Sequence, residues 1–126
     1  MKRGTAQWVR KAEADFRLAE NIVGSSEPFH DSVCFHCQQS AEKYLKALLV
    51  ELALPVPRTH DLDRLLTDVV AHHPALSSIR RGALFLEQFA VETRYPGFNA
   101  TKRQASSALR WASRLRQAVR SVLALP

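Results

Sequence analysis

Apolar residues recur at three- and four-residue spacing in five stretches, separated by glycine, proline and polar breaks. Between Thr5 and Val23, the residues Trp8, Ala12, Phe16, Ala19 and Val23 fall on one helical face, and Thr5 is placed to cap it. "GSSEP", Gly24–Pro28, ends that helix, and Pro28 suits the first turn of the next, which runs to about Ala53. On this second helix Cys34, Cys37, Ala41, Tyr44, Leu45, Leu48 and Leu52 form one wide apolar arc. Its other side mixes His36, Gln39, Lys43 and Lys46 with Phe35, Ala47, Leu49 and Val50. That mixture predicts a helix covered from two directions, either in the middle of a bundle or at a subunit contact.

"LPVPRTH" is a stiff connection, because each proline holds the residue before it extended. A short third helix follows from about Asp61 to Ala71, with Thr59 or Asp61 as its cap. The fourth is expected from about Ala75 to Glu92, burying Ile79, Ala83, Leu86, Phe89 and Ala90. Gly82 inside it costs about 1 kcal/mol relative to alanine, which predicts a packing reason for it. "RYPGFN" breaks the chain again, and a last helix from about Ala100 to Leu123 carries Ala105, Ala108, Ala112, Leu115, Val119 and Val122. No stretch alternates in the manner of a strand beside hairpin residues. The pattern predicts an all-α, antiparallel up-and-down bundle of four long helices plus one short helix, as a single domain over residues 1–126.

Charge refines this picture. The net +6 is uneven: from Thr93 onward there are seven basic residues and no acidic one, whereas the first 92 residues balance at −1. A local basic surface points to an anionic partner more directly than the overall charge does. No apolar run approaches the ~20 residues that span a bilayer, and no apolar signal core follows the basic start. The chain is therefore expected to be cytoplasmic and without a membrane partner.

"CFHCQQS" holds Cys34 and Cys37 one helical turn apart on the apolar face. Zinc would need further ligands, and His36 points about 100° away from Cys37. A redox pair would need a preceding strand. Two small core residues are the simpler reading, with no metal and no cofactor. Nucleophile-elbow, dinucleotide, phosphate-loop and zinc-protease motifs are all absent.

Two stretches carry candidate binding chemistry. In "TRYPGFNATKR", Lys102 and Arg103 lie in the opening turn of the last helix, against its dipole by ~0.3–1 kcal/mol each. Either a nearby acid such as Glu92 offsets them, or an anion binds at the free N–H groups beside Arg94, with Tyr95 available for stacking. Along the last helix, Arg103, Arg110 and Arg114 share an outer stripe, either a solvated face or a track for a phosphate backbone; no aromatic residue interleaves with them. On the second helix Glu42 precedes Lys46 by four residues, a routine pair. Lys43 has Gln39 at that spacing and needs a counter-charge, a dimer partner or a ligand.

"FHCQQSAEKYLKALLVE", "THDLDRLL" and "TRYPG" ahead of a long final helix resemble the HEPN domain (higher eukaryotes and prokaryotes nucleotide-binding) in order and spacing over nearly the whole chain. The resemblance implies a helical bundle that is usually a homodimer, nucleotide or RNA as ligand, and a minimal nucleotidyltransferase as partner, often in toxin–antitoxin pairs. Mapped onto this chain, it marks His36, Gln39, Lys43, Lys46, His60, Asp61, Arg94 and Tyr95. The ribonuclease branch carries an arginine followed after four to six residues by a histidine. No such pair occurs here; the nearest, Arg64 and His72, is separated by seven. The expected function is therefore a dimeric, nucleotide- or RNA-binding protein that leans away from catalysis. A ribonuclease with a rearranged site, or a pure interaction module, is the alternative.

Overall fold

The computed structural model describes residues 1–126 and is all-helical. In chain order it comprises α1 (Arg3–Val23), α2 (His30–Glu51), α3 (Leu62–Val70), α4 (Arg80–Glu87) and α5 (Lys102–Val122). A 3₁₀ turn at Pro74–Ile79 leads into α4, and another at Glu92–Arg94 follows it. None of these helices is long and apolar enough to cross a membrane.

The expected five helical segments are present, with three differences of detail. Pro28 lies ahead of the cap Phe29 rather than in the first turn of α2. Helix α1 starts before Thr5, so Thr5 is a buried interior residue rather than the cap. Its hydroxyl donates to Glu51 Oε1 at 2.8 Å, and the Lys2 N–H reaches the same oxygen at 3.0 Å, tying the start of α1 to the end of α2. The fourth segment is shorter as an α-helix than its periodicity implies. Its first turns are 3₁₀ after Pro74, and at its end Phe89 and Ala90 bond back only three residues. This tightening brings Phe89 edge-to-face with Phe85 and Phe98, at ring separations of 5.4 and 6.2 Å.

Helix α2 is the central post, touching α1, α3, α4 and α5. Cys34, Cys37, Ala41, Tyr44, Leu45 and Leu48 are buried on its main arc, and Ala47 and Leu49 are buried on other sides. Its two-sided pattern is thus satisfied inside one chain. Helices α1 and α5 are further joined by Glu13, whose carboxylate accepts from Arg116 Nε and Nη2 at 2.7 and 2.6 Å and from the Tyr44 hydroxyl at 2.6 Å. Hydrogen bonding from Arg116 outweighs partial burial and holds the Glu13 carboxyl down at about 2.

Gly82 has its packing reason. A Cβ built there would lie 2.2 Å from Trp111 Cε3 and 2.5 Å from Cδ2, so the indole of α5 rests directly on the backbone of α4. Gly82→Ala should therefore destabilise the fold by about 1–3 kcal/mol despite its better helix propensity, read as a lower urea midpoint. A midpoint equal to or above that of the parent would show that the indole moves freely.

Glu13 adds a pH dependence. Its folded pKa lies below the ordinary 4.5, so its contribution is fully present above that value and is lost as pH falls toward 2. With allowance for solvent screening, about 2 kcal/mol should disappear across that window, and Glu13→Gln should flatten the acid limb of a Tm-versus-pH curve.

Candidate functional site

Along the outer face of α2 the polar residues converge on two carboxylates. The first is Asp15 of α1. It meets His36 Nδ1 at 2.8 Å through one oxygen and accepts from Lys43 Nζ at 2.5 Å through the other. The counter-charge that Lys43 lacked in its own helix is therefore supplied from α1. The second is Glu42, whose side chain is only 6% exposed. It accepts from Lys46 Nζ at 3.0 Å, from Gln38 Nε2 at 3.3 Å, and pairs with His60 Nδ1 at 2.7 Å. Gln39 Nε2 donates to Gln38 Oε1 at 2.7 Å, which appends Gln39 to the same network. Lys46 is itself nearly buried, with its ammonium 5.6 Å from the centre of the Trp8 ring.

Arg94 joins this face from the turn after α4. Its guanidinium lies 5.1 Å above the Phe35 ring, and Phe35 stands edge-on to His36 at 5.3 Å. Arg94, Phe35, His36, Asp15 and Lys43 thus form a continuous line. His60 is held on the other network and makes no contact with Arg94. Asp61 caps α3 by accepting from the Arg64 amide at 3.1 Å and lies against Glu87 at the end of α4. The Glu87 hydrogen bond leads in pulling Asp61 below its ordinary range, whereas burial and that same neighbour push Glu87 up to about 6.

The start of α5 differs from the arrangement of free N–H groups considered above. Thr101 and Gln104 form a capping box, their side chains and backbone amides bonding reciprocally at 2.9 and 3.0 Å. The Ala100 N–H donates to Asp31 Oδ1 at 2.6 Å. Three of the amides available to an anion are therefore used internally, and the cationic character of this corner rests on the side chains. Lys102, Arg103 and Tyr95 are exposed, and neither Lys102 nor Arg103 has a carboxylate partner, Glu92 included. An aromatic ring does accompany the arginine stripe: the Arg114 guanidinium lies 5.0 Å above Trp111.

Cys34 and Cys37 are unpaired and buried. Burial, with a smaller contribution from Asp31, pushes the Cys34 thiol up to about 12, and burial raises Cys37 further. Both are core thiols, poor in thiolate and hence in nucleophile or ligand character. No group of three or more His, Cys, Asp or Glu side chains is arranged to hold a metal ion.

Asp15, Asp31 and Trp8 were missed by reading the sequence. The available signal for Asp15 was its place on the α1 wheel, beside the apolar arc, two turns from Trp8 and one from Lys11.

Comparison with known proteins decides the family. The sequence model of the HEPN domain matches residues 5–122. The chain belongs to the HEPN domain family. Two crystal structures share its shape. TT1696 from Thermus thermophilus superposes with a TM-score of 0.83 at 24% identity, covering 96% of this chain and 98% of the other. ST0689, an archaeal HEPN homologue, does so with a TM-score of 0.75 at 29% identity and the same coverage. No curated protein matches the chain.

The Glu42 network gives this HEPN chain a testable weak point. Glu42→Gln strands the nearly buried Lys46 without its counter-ion, and about 3 kcal/mol of stability should be lost. Asp15→Asn, acting on the more exposed Lys43, should cost closer to ~1 kcal/mol. Chemical denaturation of both variants checks the order; a reversed order would mean that the lysine at 46 is not the desolvated one.

Proposed function

We propose that this HEPN protein dimerises, binds the phosphate of a nucleotide or RNA, and works with a minimal nucleotidyltransferase partner of the toxin–antitoxin kind. One observation carries the ligand half. Arg116 and Arg120 lie on Glu13, but Arg94, Lys102, Arg103, Arg110 and Arg114 have no carboxylate partner anywhere in the chain. Five uncompensated cations running from the turn after α4 down α5 form a surface for an extended anion. Arg94 lies over the Phe35 ring at 5.1 Å, as Arg114 lies over Trp111 at 5.0 Å, and a guanidinium placed on a ring keeps its N–H edge available for bidentate contact with phosphate. Tyr95, 61% exposed, stands beside it for stacking.

Support for a dimer comes from exposed apolar side chains at the same end of the bundle. Phe29 lines a cleft of about 690 Å³ that reaches Thr93 and Asn99, and Val91 and Tyr95 flank Thr93. Such side chains, 61%, 49% and 61% exposed, suit a contact between copies. The nucleotidyltransferase partner rests on the family alone.

A second reading, RNA cleavage, is favoured by one feature. Arg94 lies over the Phe35 ring, and a histidine oriented by a carboxylate, His36 with Asp15, stands edge-on to the same ring. A phosphate-binding cation near a proton-transfer group is the minimum that metal-independent cleavage needs.

Calorimetric titration with ATP, GTP and a short RNA at low salt tests the ligand half. Binding is expected, at least tenfold weaker after Arg94→Glu with Lys102→Glu and falling steeply with salt. No binding of any of the three would end the ligand half, and a monomer by light scattering at micromolar concentration would end the dimer. RNA degradation abolished by His36→Ala would shift the assignment to the enzyme.

A further inference from the structure

Acidic side chains meet where α3 begins and α4 ends, and they differ in how they are compensated. Asp63 is paired with Arg80. Asp61 caps α3: its Oδ1 accepts from the Arg64 amide at 3.1 Å, at the positive end of that helix's dipole. Glu87 has neither advantage. It is the last residue of α4, at the negative end of a helix dipole, and no cation in the chain pairs with it. Its Oε1 is buried and accepts no hydrogen bond. Yet its carboxyl lies in hydrogen-bonding contact with that of Asp61. Two carboxylates have no donor between them, so such a contact closes only around a proton. No third His, Cys, Asp or Glu joins them to hold a metal ion in the proton's place. Both the cap and the two dipoles put that proton on Glu87.

We infer that Asp61 and Glu87 form a proton-operated latch: protonated Glu87 donates to Asp61 and holds the end of α4 against the start of α3, and loss of the proton leaves two facing carboxylates that push these ends apart. The groups facing Glu87 from α3 are Asp61 and Asp63, whose charges both oppose its ionisation. Arg64 acts on Asp61, and Arg80 is taken up by Asp63. On α2, Glu42 closes on Lys46 and on His60, the residue before Asp61. On α5, Arg116 and Arg120 pair with Glu13, and the other cations have no carboxylate partner. The Glu87 carboxyl is accordingly raised to about 6, by burial first and by Asp61 next. A raised folded value means that the latch's contribution is fully present below the ordinary 4.5 and is lost as pH rises through about 6. The latch is closed in mild acid and open at neutral pH. Opening frees both segments it joins, the one that carries His60 and the one that leads from α4 to the turn at Glu92–Arg94.

Amide hydrogen exchange in the first turn of α3 reads the latch. Glu87→Gln is the reference, because its side-chain amide donates to Asp61 at every pH. After correction for intrinsic rates, the amides from Asp63 to Leu66 of the unaltered chain should exchange about tenfold faster at about pH 7.5 than at about pH 5. In Glu87→Gln the two rates should agree. Asp61→Asn keeps a capping side chain, removes the facing charge and should also abolish the difference. Carbon NMR of the unaltered chain follows the Glu87 carboxyl itself, with a midpoint above 4.5 expected. A midpoint at or below that value, or equal exchange at both pH values in the unaltered chain, would overturn the latch. So would a difference that survives Glu87→Gln, which would belong to another group such as His60. All of these are read without a ligand and do not depend on what the Arg94 surface binds.

Discussion

A charged side chain taken out of water must meet its counter-charge, and the middle of this protein is organised by that requirement. Helix α2 is packed by four other helices yet carries Gln38, Glu42 and Lys46 among its buried positions. The structure accommodates them because Glu42 takes three partners at once, Lys46, Gln38 and His60. Asp15 does the same at the rim for His36 and Lys43. The rotation of α1 against α2, and the seating of the linker that carries His60, follow from where those two carboxylates must lie.

Much of the architecture was legible because helical periodicity is a local property. The break at Gly24–Pro28, the polar cap at Asp61 and the unexpected Gly82 each had a physical meaning before any coordinates, and each has the structural counterpart that meaning requires. What could not be read was which face of one helix meets which face of another. Lys43 was visibly in need of a partner, but the spacing of residues within α2 says nothing about Asp15, which lies 28 positions away. Asp31 bonding to Ala100, 69 positions away, was hidden for the same reason. The capping box was a different matter: Thr101 and Gln104 stand in the sequence at the right separation, and periodicity alone does not show that the helix begins after Thr101 rather than at Ala100.

The cations divide by what they do. Arg116 and Arg120 bind the helices together through Glu13 and Tyr44 and are spent on the fold. Lys102, Arg103, Arg110 and Arg114 on the outside of α5 have no carboxylate partner and leave that face positively charged. The bundle shape is shared with relatives at 24% and 29% identity, so the fold tolerates wide change in sequence.

The shared carboxylates also bear on how the sequence is free to drift. Asp15 and Glu42 are junctions, each serving several side chains, so the worth of any one of those neighbours depends on whether the others are still in place. Substitutions among them will be epistatic, harmless in one background and costly in the next. A change at a junction would have to be answered at two or three positions together, and that slows the replacement of this polar seam relative to the arginines outside it.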